Sequence, residues 1–109
     1  MKWVEEYYPE ALKDLKKLDG SQKNEVKKAI KKISNNPLPF SLGGYGKPLG
    51  NKNGINLNGY FKVKLKKSGI RIVYEIKNID NVFVIVIIGL RSDCEVYKEA
   101  LARIQKKKK

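Results

Sequence analysis

The clearest alternation in the chain covers residues 60–67. Phe61, Val63 and Leu65 fall on one side and Lys62, Lys64 and Lys66 on the other, which is the period of a half-buried strand. Ser68 and Gly69 read as a two-residue hairpin turn into a second strand at 70–77. That turn pairs Lys67 with Ile70 and sets Phe61 against Ile76, Val63 against Tyr74 and Leu65 against Ile72, so the apolar faces coincide. The same register puts Lys66 opposite Arg71, Lys64 opposite Val73 and Lys62 opposite Glu75, leaving Glu75 as the counter-charge of a basic face. After a turn at 78–81, the unbroken apolar run 82–88 predicts a central strand, antiparallel to 70–77 and covered on both sides. Its exit through Gly89, Leu90 and Arg91 then lies beside the start of the 70–77 strand.

The first half of the chain has a helical period. Residues 1–8 predict a strand, and Pro9 suits the first turn of a helix whose apolar face is Ala11, Leu12, Leu15 and Leu18. Asp19 and Gly20 break it. Asp19 with Gln22, or Ser21 alone, can cap a second helix with the stripe Val26, Ala29, Ile30 and Ile33, which ends at Asn35, Asn36 and Pro37. Residues 37–59 hold three prolines and six glycines and read as loop, with a small hairpin excursion at 50–59. Gly43, Gly44, Gly46 and Lys47 do not form a phosphate loop, because the G-x-x-x-x-G-K-[ST] spacing and the preceding strand are missing. Ser92 or Asp93 can cap a last helix carrying Val96, Ala100, Leu101 and Ile104, with Tyr97 in its first turn. The sum is an α+β domain spanning 1–109: a small antiparallel sheet packed against two N-terminal helices, with a C-terminal helix and a basic tail at 106–109.

Composition then narrows the chemistry. The chain has 109 residues and no histidine, which excludes imidazole catalysis and histidine metal sites. Its one cysteine, Cys94, permits neither an internal disulfide nor a thiolate cluster. No apolar run approaches the roughly 20 residues of a membrane span, and the opening MKWVEEYYPE is acidic without an apolar core, so a cytoplasmic protein is expected. The net charge is +13, and no carboxylate occurs between Glu25 and Glu75 while eleven Lys or Arg do. A polyanion is the expected partner. Lys62, Lys64, Arg71, Arg91 and Tyr97 around one end of a sheet suit RNA: a base for the ribose 2′-hydroxyl, donors for phosphate charge, an acid for the 5′-oxygen and a ring to stack on a base. They would equally serve phosphate binding alone.

The order strand–helix–helix–three strands–helix, with ALKDLKKL from Ala11, GKPLG from Gly46, YFKVKL from Tyr60, SGIRIVY from Ser68 and EVYKEA from Glu95, resembles the RelE/ParE toxin superfamily over nearly the whole chain. Within it the likeness is greatest to RelE-type mRNA interferases. The resemblance implies a β-α-α-β-β-β-α fold and metal-independent cleavage of mRNA in the ribosomal A site, with no cofactor. It implies Lys64 as general base, Lys62 and Arg71 as phosphate ligands, Arg91 at the transition state or leaving oxygen, and Tyr97 orienting the nucleotide. Lys27, Lys28, Lys31, Lys32, Lys47, Lys66 and Lys67 are then candidates to contact RNA or ribosome. The implied partners are a RelB-like antitoxin, the ribosome with its mRNA, and operator DNA only as the toxin–antitoxin pair; no membrane is involved. Leu90 and Asp93 stand where the family often has basic residues, and Gly50 opens a longer Asn/Gly-rich segment. The alternatives are a ParE-like gyrase-inhibiting toxin on the same fold and a non-catalytic nucleic-acid-binding module.

Overall fold

The computed structural model describes residues 3–52, 54–77 and 81–107. Strand β1 (Val4–Tyr7) leads into helix α1 (Pro9–Lys16), which opens on Pro9 as its first residue. Helix α2 (Gly20–Asn35) begins with a complete capping box: the Asp19 carboxylate accepts from the Gln22 N–H at 2.8 Å, and the Gln22 side chain accepts from the Asp19 N–H at 3.2 Å. A 3₁₀ turn at 40–42 precedes three two-residue strands, β2 (Lys47–Pro48), β3 (Asn51–Lys52) and β4 (Ile55–Asn56). Strands β5 (Tyr60–Lys64), β6 (Arg71–Lys77) and β7 (Val82–Gly89) follow, then helix α3 (Asp93–Lys107). The basic tail is therefore helical as far as Lys107, whose Nζ lies 4.4 Å from the centre of the Tyr8 ring.

The main sheet has the order β1-β7-β6-β5-β2, and β3 and β4 form the separate small hairpin expected near 50–59. One pairing corrects the antiparallel expectation: β1 runs parallel to β7. In addition, β2 forms an antiparallel edge strand beside β5 from a segment read as loop. The α2 stripe covers the face of Phe61, Val63, Ile72 and Tyr74, where Phe61 stacks on Tyr74 and Tyr74 meets Phe83 edge-on, with Tyr74 Oη donating to the Pro37 carbonyl at 2.7 Å. Helix α3 lies across the other face, so β7 is buried from Phe83 to Ile88.

The β5–β6 register differs from the expected one by two residues. Phe61 pairs with Tyr74, Val63 with Ile72, Lys62 with Val73 and Lys64 with Arg71. The hairpin closes at Leu65 and Ile70, where Leu65 N–H donates to the Ile70 carbonyl at 2.8 Å, leaving a four-residue loop of Lys66, Lys67, Ser68 and Gly69. Gly69 takes φ 78°, and its N–H returns to the Leu65 carbonyl. Leu65 and Ile70 are both buried, and sealing that apolar pair outweighs extending the ladder to the lysines. A slip of two keeps every side chain on its predicted face. It does move Lys66 off the sheet face and pairs Glu75 with Tyr60 instead of Lys62. The turn expected at 78–81 falls largely outside the described residues.

In α1 the inward face is Ala11, Asp14 and Leu15, with Leu18 buried just past the helix end, and Leu12 is exposed, contrary to the predicted face. The reason is Asp14. β1 ends at Tyr7, so the outer edge of β7 beyond Ile85 lacks a strand partner. Asp14 Oδ2 accepts from the Ile88 N–H at 3.0 Å, and Arg103 of α3 donates to the Val86 carbonyl at 3.0 Å and to both Asp14 oxygens at 2.7 and 3.1 Å. This partly buried pair closes the edge at the irregularity between Val73 and Tyr74, where Val86 is the extra residue of β7.

Candidate functional site

Lys62 sits in the middle of β5 on the face turned toward α3, and its side chain is 9% exposed. A lysine that deep needs a partner. It has Asp93, whose Oδ2 lies 3.4 Å from Lys62 Nζ, and the Tyr97 ring, whose centre lies 5.6 Å from the same nitrogen. Burial alone would drive off the Lys62 proton; the Tyr97 phenol and Asp93 carboxylate outweigh it, and the net shift is upward. Lys62 is thus a fixed cation rather than a base.

Asp93 also binds Arg71. Arg71 Nε donates to Asp93 Oδ1, while Nη1 donates to the carbonyls of Gly69 at 3.0 Å and Arg91 at 2.6 Å. Arg71 therefore ties the hairpin loop, the exit of β7 and the first turn of α3 together. Partial burial opposes ionisation of Asp93, but its bond to Arg71 and the charge of Lys62 prevail and hold the carboxyl below its usual range. Ser92, not Asp93, caps α3: its hydroxyl faces the Glu95 N–H at 3.5 Å and its carbonyl accepts from the Val96 N–H. Asp93, as the first helical residue, is free to turn to the sheet. The counter-charge of the basic face is accordingly Asp93 and not the expected Glu75. The latter lies beside Tyr60 and, after burial itself, helps push that phenol's pKa up.

The five residues singled out from sequence do not gather around one hollow. Lys62, Asp93 and Tyr97 line a cleft of about 510 Å³, with Lys47 across from Lys62 on β2. Arg71 reaches this cleft only through Asp93. Arg91 departs next to Arg71, as expected, but its side chain is 81% exposed, with Glu95 at 4.0 Å. Lys64 is exposed and lines a second groove, between α2 and the hairpin, together with Lys32, Lys66 and Lys67. Lys27, Lys28 and Lys31 are exposed on α2, and Lys32 Nζ stands 4.8 Å from the centre of the Tyr45 ring. Asp93 is the site residue whose role sequence reasoning missed; its partners are 22 and 31 positions away and leave no local mark.

Arranged this way, the site can bind an anion beside a flat apolar surface. Residues 6–93 match the family model of ParE toxins of type II toxin–antitoxin systems. The chain belongs to the RelE/ParE toxin family. Its similarity to the mRNA interferase toxin RelE of Escherichia coli K12 is 30% identity over 94 residues, 86% of this chain and 88% of that one. The free-state structure of an E. coli RelE carrying two arginine-to-alanine substitutions superimposes with a TM-score of 0.73 at 27% identity, over 95% of this chain and 99% of that chain. The toxin of the RelBE2 toxin–antitoxin complex of Mycobacterium tuberculosis gives 0.66 at 25% identity, over 84% of this chain and 100% of that one. As a member of this family the chain is a toxin of a type II toxin–antitoxin system, and the α+β fold expected for it is the one observed. Among the described residues no helix is long and apolar enough to cross a membrane.

Proposed function

We propose that this toxin is a cytoplasmic endoribonuclease that cuts mRNA in the ribosomal A site, by attack of a ribose 2′-hydroxyl on the adjacent phosphate, without a metal. The observation that carries this reading is Lys62, a buried lysine kept charged at the edge of an open cleft. A cation held there at the cost of desolvation supports a role in stabilising phosphoryl charge as it develops. Lys64 takes the 2′-hydroxyl proton, Arg91 meets the phosphate or the leaving 5′-oxygen, and Tyr97 orients the nucleotide. Arg71 acts on the phosphate and also positions the Arg91 backbone.

The exposure of Lys64 and Arg91, against the burial of Lys62, supports dependence on the ribosome. A substrate already bent in the A site brings its phosphate to both exposed side chains, whereas free RNA must supply that ordering itself. Lys27, Lys28, Lys31, Lys32, Lys47, Lys66 and Lys67 supply contacts to ribosomal or messenger RNA. A RelB-like antitoxin, as in the M. tuberculosis complex, covers the basic surface, and the pair binds operator DNA. The test is primer extension on a defined mRNA with and without programmed ribosomes. Cuts in phase with codons, with ribosomes only, support the reading; cuts on naked RNA alone contradict it. The match to the ParE model favours gyrase inhibition as the second reading, and loss of gyrase supercoiling with no RNA cut would establish that instead.

A further inference from the structure

The Asp93 carboxylate stands between two cations that the RNA-cutting reading gives to phosphate. Oδ1 accepts from Arg71 Nε and Oδ2 lies 3.4 Å from Lys62 Nζ, so one group bridges both with its two oxygens. A phosphate presents the same feature, two acceptor oxygens on one atom, and a phosphodiester carries the same single negative charge as a carboxylate. Lys62 and Arg71 are 9% and 15% exposed, so little of either cation is open to a second anion while Asp93 is in place. The three side chains differ in how firmly they are held. Arg71 keeps Nη1 on the Gly69 and Arg91 carbonyls, at 3.0 and 2.6 Å, without help from Asp93. Lys62 extends from β5, a strand paired on one side with β2 and on the other with β6, and it has the Tyr97 ring beside it. Asp93 is 45% exposed, and Ser92 supplies the hydroxyl and carbonyl that cap α3, so the cap does not depend on the Asp93 side chain. Released, the carboxylate remains in the first turn of α3, where negative charge is favoured. The two cations cannot follow it, and burial makes it costly to leave them without an anion.

Resting on the assignment of Lys62 and Arg71 to phosphate, we propose that Asp93 is a built-in stand-in for the substrate phosphate: its carboxylate closes the Lys62–Arg71 cradle in the free toxin and leaves only in exchange for an incoming oxyanion. The contact is autoinhibitory. It lowers the affinity of the cradle for free phosphates and loose RNA, whereas a phosphate delivered with its neighbours already fixed displaces it. A monoanion replacing a monoanion leaves the local charge unchanged. The extra negative charge that develops during attack on phosphorus has no counterpart in the carboxylate, so the exchange favours the reacting phosphoryl group over the resting diester.

Sulfate is the probe, because it is a tetrahedral oxyanion without sugar or base. Its binding is followed by titration calorimetry and by NMR of the Arg71 Nε–H and Asp93 carboxyl signals. Asp93→Asn, which keeps the shape and removes the charge, should bind sulfate roughly tenfold or more tighter than wild type. Glu95→Gln removes the same charge from a carboxylate 4.0 Å from Arg91 and should change the affinity less than about threefold. In the double variant Asp93→Asn with Lys62→Met the gain should vanish. On wild type, high sulfate should shift the Arg71 and Asp93 signals together with one midpoint, a test that needs no variant to fold. Equal affinity in wild type and Asp93→Asn, an equal gain from Glu95→Gln, no sulfate binding to either protein, or sulfate binding to wild type that leaves the Asp93 signal in place overturns the proposal. Ribosome-dependent cleavage with no gain in Asp93→Asn sinks the stand-in and leaves the nuclease reading intact; the gain in a protein that cuts no RNA does the reverse.

Discussion

Substituting Asp14 by alanine tests how the end of β7, and with it the departure point of Arg91, is held. The change removes three hydrogen bonds at once, from the Ile88 N–H and from both Nη atoms of Arg103. Arg103 keeps the Val86 carbonyl and the more exposed Glu99 at 3.2 Å. Its side chain, only 11% exposed, is left with a charge that has lost its buried partner. Breaking a buried pair from one side costs about 3–5 kcal/mol, and an orphaned N–H about 1–3 kcal/mol. The pair is not wholly sealed and Glu99 compensates in part, so a net loss of about 2–4 kcal/mol is expected, or roughly 8–20 °C in Tm for a domain of this size. Urea titration and calorimetry of Asp14→Ala, Arg103→Met and the double variant form a thermodynamic cycle. The double variant should lose less than the two single losses combined, because no unpaired charge remains. A single-variant loss under about 0.5 kcal/mol, the size of a surface change, would refute the assignment of this pair to the sheet edge.

Asp93, held below its ordinary carboxyl value near 3.8 in the fold, contributes stability that is complete above that value and lost as pH falls through the folded one. The stability gap between wild type and Asp93→Asn, measured by urea midpoints, should be constant near neutrality and close below about pH 4. Gly46→Ala places a Cβ 2.3 Å from Tyr74 Oη, which is bonded to Pro37, and a fall of about 1–3 kcal/mol is expected from thermal melts. Lys64→Ala should lower ribosomal cleavage at least ~100-fold while leaving the melting curve in place, whereas Arg71→Ala should lower both, since Arg71 holds two backbone carbonyls and Asp93.

Local physics makes most of the elements readable from the order of residues alone. The Asp19–Gln22 capping box, Pro9 at a helix start, the α2 stripe and the apolar run of β7 each depend on neighbours within a few residues, and each is found where the pattern puts it. The faces of β5 and β6 are equally legible, because side-chain alternation survives a slip of two. What the sequence hides is set by contacts distant along the chain. The hairpin register is decided by burial of Leu65 with Ile70, which a turn rule based on Ser68 and Gly69 does not weigh. The parallel pairing of β1 and the edge pairing of β2 involve strands too short to show a period. Leu12 and Asp14 exchange their expected places because Arg103, 89 positions on from Asp14, requires a carboxylate. In the candidate site, Lys62 and Arg71 converge on Asp93, a residue whose sequence context suggests a cap or a family departure.

Cleavage through the ribose hydroxyl on the ribosome is most directly tested with a programmed ribosome whose A-site codon carries a single 2′-deoxynucleotide at the mapped cut. A cut at that bond is expected in the all-ribose mRNA, with its disappearance in the deoxy mRNA and no cut in either with Arg91→Ala. Cleavage that persists at the deoxy position, or an intact all-ribose mRNA after exposure to folded wild-type protein, would contradict that mechanism.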